Sequence, residues 1–374
     1  MMAERVPIDT YCEKKIPTLQ KTYDGLIDYV DISSVDNTEK KIISYQTIES
    51  NDAPSRAKQL LKKGDVLVST VRPNLNAVAV VEEETENLMV GSTGYCVLRC
   101  KDNMDVRYLF NFCQSQYFVD DMSSQATGAS YPAVSNGIVR SSLIPCCSIE
   151  EQREIAEKMD TVSELLVLRK QQLAELDELI KSRFIELFGD PNTNPMKWKK
   201  EQLQINATLL NGRAYKQDEL LDDGKYPVLR VGNFFSNRGW YYSDLELDED
   251  KYCDDGDLLY AWSASFGPRI WNGGKVIYHY HIWKVLVGEK YNKQFLCHLL
   301  DYATASLMGD THGIGMMHLT KSGMEETEFI VPPIDLQNQF AAFVEQTDKS
   351  KLAVQQSITE LEELKASLMQ KYFG

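Results

Sequence analysis

Several absences narrow what this chain can be. No apolar run in its 374 residues approaches the roughly 18 to 20 that a membrane-spanning helix requires. The opening Met1-Met2-Ala3-Glu4-Arg5-Val6-Pro7 lacks the charged-then-apolar order of a secretion signal. The eight cysteines (Cys12, Cys96, Cys100, Cys113, Cys146, Cys147, Cys253 and Cys297) show no metal-type spacing, which predicts reduced thiols in the cytoplasm. There is no Gly-x-x-x-x-Gly-Lys-Ser/Thr loop to cradle nucleotide phosphates and no glycine-rich dinucleotide fingerprint after a strand. Val331-Pro332-Pro333-Ile334 lacks the polar and aromatic ends of an Asn/Asp-Pro-Pro-aromatic methyltransferase motif. His279-x-His281 places two imidazoles on one face of a strand with no third ligand in view. A non-enzyme without metal or cofactor is therefore expected.

Positive charge is also scarce. Forty Lys and Arg stand against 55 Asp and Glu, a net charge of −15. Phosphate contacts draw on Lys and Arg, so the net field alone binds DNA poorly. A DNA binder of this composition needs its basic residues gathered on one face, or a partner that supplies phosphate contacts. A protein-binding adaptor does not, and a metal-dependent nuclease is a third, weaker alternative. The 43% hydrophobic content supports real cores, and the 25% charged content argues against disorder.

What is present is repetition. Ile149-Glu150-Glu151-Gln152 recurs 185 positions later as Ile334-Asp335-Leu336-Gln337. The same offset maps Leu173, Leu176 and Leu179 onto Ile358, Leu361 and Leu364, and Phe188-Gly189 onto Phe373-Gly374. Gly64-Asp65-Val66-Leu67 resembles Gly256-Asp257-Leu258-Leu259, and Thr127-Gly128 resembles Thr311-His312-Gly313. Two half-copies stand in tandem, each with a mixed front part and a helical tail.

The tails carry the clearest pattern. Ser148 with Glu151 is a capping box. A 3-4 spacing then runs through Ile155, Met159, Val162, Leu166, Arg169, Leu173, Leu176, Ile180, Arg183 and Leu187. Arg169 and Arg183 are expected at gaps or snorkelling to solvent. The second stripe, from Phe340 and Val344 through Val354, Ile358 and Leu361 to Leu368, is less regular. Gly189-Asp190-Pro191 ends the first tail. Each helix of about 37 to 40 residues spans about 55 to 60 Å. Packed on each other in tandem order, the two run antiparallel.

The front parts read as mixed α/β. Strand-like runs fall at 26–32, 65–71, 77–81 and 95–99 in the first, with a helix at 106–122 and a loop at 128–132. In the second they fall at 226–231, 258–261 and 275–287, with a helix at 294–307 and a loop at 311–315. One scaffold with different surface residues suits two binding specificities.

The order of these motifs resembles the specificity (S, or HsdS) subunits of type I restriction-modification systems. The resemblance rests on Ile144-Pro145 to Gln152, Arg169 to Pro191, Tyr226-Pro227-Val228-Leu229-Arg230-Val231-Gly232-Asn233 and Val331-Pro332-Pro333 to Gln337, and covers essentially the whole chain. It implies an α+β architecture: two mixed α/β target recognition domains separated by two long antiparallel coiled-coil-like helices. The expected divisions are 1–147 and 190–333 for the domains, 148–189 and 334–374 for the helices. It further implies double-stranded DNA as ligand, read as a bipartite asymmetric site. Two methyltransferase (M) subunits and the restriction/translocase (R) subunits are the implied partners.

Residues with fork or amide geometry at loop positions are the candidate DNA contacts. In the first copy these are Arg72, Asn74 and Asn76 around Pro73, with Thr127, Ser130 and Tyr131 in the following loop. In the second they are Arg230, Asn233, Ser263, Ser265, Arg269, His312 and His318. Trp262 and Trp271 are expected to pack, and the eight acids between Asp244 and Asp257 to face away from DNA. Leu166, Leu173, Leu176, Ile180, Ile358 and Leu361 are the candidate partner-binding residues on the helices.

Overall fold

A computed structural model describes residues 4–236, 239–309 and 320–374, except the side chains of 305–309. The chain divides into two compact units, Met1–Gln171 with Gln355–Gly374, and Gln172–Val354. Compactness thus divides the chain within the long helices, rather than at their ends.

Each unit is built on the same two sheets. In the first, a four-stranded sheet has Leu26–Val30 and Leu88–Ser92 as a parallel central pair, flanked by antiparallel Gln46–Glu49 and Ala57–Leu60. In the second, Tyr226–Leu229 and Val276–Tyr278 form the parallel pair, flanked by Tyr241–Ser243 and Tyr252–Cys253. The other sheet centres on Val66–Ser69 in the first unit, between Tyr95–Leu98 and Val78–Val80. In the second, Leu258–Ser263 lies between Ile282–Val287 and Ser265–Ile270, and a fourth strand, Ala207–Asn211, adds beyond Ile282–Val287.

Those central strands serve two cores, because successive side chains alternate faces. Val66 and Val68 join Phe112, Phe118 and Leu98, while Leu67 joins Val30, Ala79 and Val97. Leu258 and Tyr260 join Trp283 and Phe295, while Leu259 and Ala261 join Leu229, Phe234 and Tyr278.

The repeated Gly-Asp pair has a structural explanation. Gly64 and Gly256 adopt φ of +87° and +83°, conformations that glycine tolerates. The next carboxylate accepts the backbone N–H three residues back, Lys62 to Asp65 and Asp254 to Asp257, both at 2.8 Å. Arg99 pairs with Asp65 and Lys284 with Asp257, each at 2.7 Å. The pair therefore fixes the start of a buried strand.

The long helices run Ile149–Phe188 and Ile334–Phe373. The capping box forms: Glu151 N–H donates to the Ser148 hydroxyl, and Ser148 N–H to the Glu151 carboxylate. Gln152 and Gln337 are buried equivalents one turn in. The Gln152 amide donates to the Asn103 and Cys147 carbonyls and accepts Asp105 N–H. The Gln337 amide donates to the Lys290 and Pro332 carbonyls and accepts Asn292 N–H. At the far ends, Phe373 packs on Tyr108 and Phe112, and Phe188 on Phe295 and Phe340. Within each unit the two helices run antiparallel. In the first, Lys170 pairs with Glu362 while Ile155 shares a core with Tyr372 and Phe373. In the second, Asp177 pairs with Lys351 while Phe184 meets Phe340.

Two expected elements are interrupted. The helix at 106–122 is two helices, Val106–Gln114 and Gln116–Gln125, because Ser115 turns extended and its hydroxyl caps the second at Phe118 N–H. The strand at 275–287 is broken at 279–281, where Ile282 N–H turns back to the His279 carbonyl at 2.9 Å.

Candidate nucleic-acid interface

Candidates of both units fall at the connection that follows the central strand of the second sheet. The second unit adds the turn leaving the first strand of its parallel pair, and the first unit adds the loop at 127–131.

In the first unit the turn is Ile32–Ser34, and the connection runs through Pro73–Leu75 between two left-handed residues, Arg72 (φ 50°) and Asn76 (φ 48°). The connection is tied to the loop before Asn136–Ser141. Arg72 N–H donates to the Pro132 carbonyl at 2.7 Å, and Val134 N–H to the Thr70 carbonyl at 2.9 Å. Thr127 pairs across that loop with Ala133. This brings Arg72 against Tyr131, its guanidinium carbon 4.7 Å from the ring centroid, and leaves Tyr131 69% exposed. Asn74, Thr127 and Ser130 are exposed beside them. Turn and loop together line a groove of about 740 Å³ that also holds Asp31, Ser33, Asn37 and Arg56.

Asn76 departs from expectation. Its amide donates to the Cys113 carbonyl at 2.8 Å and accepts from Lys40 at 2.8 Å. It fastens the connection to the helix end, so both ends of its amide are engaged within the fold. Burial pushes the Lys40 ammonium down to about 8. Arg56 was missed by sequence reasoning, because only the pairing of Ala57–Leu60 with Leu88–Ser92 carries it to the groove.

In the second unit the turn is the short helix Val231–Phe235, and the connection is the tight hairpin Ser263-Ala264-Ser265, with Ala264 at φ 66°. Arg269 donates to the Phe234 carbonyl at 2.6 Å and lies over the Phe234 and Phe235 rings. The structure therefore gathers Arg269 with Asn233, whose amide donates to the Gly239 carbonyl. Arg230 lies over Tyr241 at 4.3 Å, and its Nε is buried without a hydrogen-bond partner among the described residues. His279 stands near this guanidinium. Burial first, then the charges of His281 and Arg230, push its imidazole down to about 4. Trp271 is buried and donates to the Gly274 carbonyl, while Trp262 stacks on Trp283. Ser265 is exposed and Ser263 half-buried at the hairpin tip. His312 and His318 lie outside the described residues.

The helix candidates are withdrawn from solvent to different degrees. Leu166, Ile180 and Ile358 are only 8%, 4% and 3% exposed, and Leu173, Leu176 and Leu361 are half-buried. A side chain already withdrawn from solvent in the fold offers a partner little surface, so these residues form the inner face of the helices. The large apolar residues of these helices that do face solvent are Leu165, Val167, Leu168, Leu179, Ile185, Ile334, Leu352 and Leu364. Among the described residues no group of three His, Cys, Asp or Glu side chains could hold a metal, and no helix is long and apolar enough to cross a membrane.

The duplicated scaffold has a counterpart in known families. The model of the type I restriction modification DNA specificity domain matches residues 8–178 and again 195–365. The chain belongs to this family. Its two matches coincide with the two half-copies read from the sequence. The chain is 26% identical over 167 residues to the type I restriction enzyme EcoBI specificity subunit of Escherichia coli, covering 42% of this chain and 35% of that one. It is 24% identical over 185 residues to the HindI specificity subunit of Haemophilus influenzae, covering 48% of this chain and 39% of that one. The chain thus matches these curated relatives over little more than a third of their length. A longer match, 20% identical, covers 89% of this chain and 84% of the MjaIX specificity subunit of Methanocaldococcus jannaschii. The fold is shared with a chain from a structure of type I restriction-modification complex assembly (TM-score 0.65, 24% identity, covering 99% of this chain and 97% of that one). It is shared also with the S subunit from M. genitalium (TM-score 0.61, 15% identity, covering 100% and 99%).

Proposed function

We propose that the chain is the non-catalytic specificity subunit of a type I restriction-modification complex in the cytoplasm. It reads a bipartite, asymmetric site in double-stranded DNA and docks two methyltransferase subunits, with restriction/translocase subunits completing the assembly. The recognition domains are 1–147 and 190–333, carried on the helices 148–189 and 334–374.

One observation carries this reading: a duplicated specificity-domain scaffold presents different side chains at equivalent places. Arg72 and Asn74 stand where the second copy has the hairpin serines, and Arg230 and Asn233 stand where the first has the turn after Val30. Two copies of one reader with unlike surfaces suit two unlike half-sites. Linkage in one chain lets the second half-site bind at high effective concentration once the first is engaged. The net charge of −15 fits if the methyltransferases supply much of the phosphate contact. They dock on solvent-facing helix residues such as Leu165 and Leu168 rather than on the buried face.

Selection from random duplex DNA by the chain reconstituted with its methyltransferase tests this. A two-part motif with a fixed gap is expected. No enrichment at low salt by an intact complex contradicts DNA readout and favours a protein-adaptor role.

A further inference from the structure

The arginines of the first unit differ in what neutralises them. Arg99 pairs with Asp65, Arg107 with Glu82 and Asp160, and Arg140 with Asp9. Arg5 donates to the Phe373 and Gly374 carbonyls. Arg56, Arg72 and the helix residue Arg153 make no ion pair among the described residues, and the first two line the same groove. Carboxylates are abundant in this chain, so two uncompensated guanidinium groups on one groove mark a surface open to acceptors from outside.

Arg72 is also held in place. Its backbone is left-handed (φ 50°, ψ 60°) immediately before Pro73, where both the positive φ and the following proline disfavour the conformation. Hydrogen bonds fix it there: Arg72 N–H to the Pro132 carbonyl, and Leu75 N–H to the Arg72 carbonyl. The side chain then lies against the exposed Tyr131 ring. Such a stack restricts the rotamers of a long side chain before any ligand arrives.

We propose that Arg72 is the guanine-reading side chain of the first unit, with Tyr131 as its positioning residue and Arg56 as a phosphate contact on the same groove. This rests on the specificity-subunit reading. Guanine presents two acceptors, O6 and N7, on its major-groove edge, and the planar guanidinium matches them with two parallel donors. A lysine in its place keeps the charge and loses the fork. Asp31 on the groove wall accepts from the Tyr29 hydroxyl and forms no ion pair with Arg72 among the described residues.

The test is random-duplex selection with the full chain and its methyltransferase, comparing wild type with R72K, R72A, Y131F, Y131A and R56Q. The expected wild-type motif has a G·C pair in one half that both Arg72 variants degrade, with preference at that single position falling on the order of 5- to 150-fold. Y131A weakens the same position and Y131F retains it. R56Q lowers affinity evenly across sequences and reduces the salt slope by about 1. An unchanged second half shows that each variant folds and assembles. A wild-type two-part motif that both Arg72 variants reproduce overturns the proposal and leaves the specificity-subunit reading intact. Failure of the wild type to enrich any motif overturns that reading and this proposal with it.

Discussion

Single residues show how function and scaffold divide the polar side chains. Asn74 and Asn76 look alike in the sequence, yet one is exposed and the other clamps its loop to Lys40 and Cys113. Sequence spacing cannot distinguish them, because the partners of Asn76 lie about 36 residues away on either side. Gln152 and Gln337 are the reverse case, since their repeat was legible while their role was not. Each amide holds three main-chain groups, so Gln152→Ala is expected to cost about 1–3 kcal/mol by leaving buried groups unpaired. Urea unfolding measures this, and a loss below a few tenths of a kcal/mol contradicts the assigned role. His279 gives a pH signature. Its imidazole titrates near 4 in the fold against the ordinary 6.5 in the unfolded chain, and His281, Arg230, Tyr215 and Tyr280 surround it. The unfolded chain therefore binds the extra proton in between. The stability linked to this group is complete above pH 6.5 and falls as pH drops to about 4. His279→Gln should flatten that part of the unfolding profile, and an unchanged slope argues against the assignment.

At the scale of elements, the long helices were the most legible feature. Their capping box, apolar stripe and terminal Gly189 all act locally or within a few turns, which is why spacing reveals them. The direction of the stripe follows from the spacing, but the burial of its members does not: Leu166, Ile180 and Ile358 are withdrawn from solvent within the fold, and Leu173, Leu176 and Leu361 only half so. Leu166→Ala and Ile358→Ala should each cost about 2–5 kcal/mol, whereas Leu168→Glu, at a 59% exposed position, should leave stability nearly unchanged and weaken methyltransferase binding. Unfolding and pull-down together check this. Equal stability losses at positions 166 and 168 contradict the assignment of faces. The interruptions at Ser115 and at 279–281 escaped the sequence pattern because neither carries a proline or glycine. Ser115 ends one helix by capping the next, and the turn at 279–281 is closed by a main-chain hydrogen bond.

For the whole molecule, duplication is what links sequence to function. Matching Gly-Asp pairs, glutamines and terminal phenylalanines maintain one scaffold in both copies, and the exposed connections diverge. The architecture was readable because it is written twice. The proposed reading surfaces were legible only as loops, since Arg56 and the Arg72–Tyr131 stack depend on tertiary pairing. If each copy reads one half-site, exchange of a front part should act on that half alone. The most direct measurement replaces residues 1–147 with the corresponding part of another family member. The methylation motif of the reconstituted complex is then sequenced. The account predicts a new first half, with the second half and the gap unchanged. A motif that changes in both halves, or in neither, contradicts it.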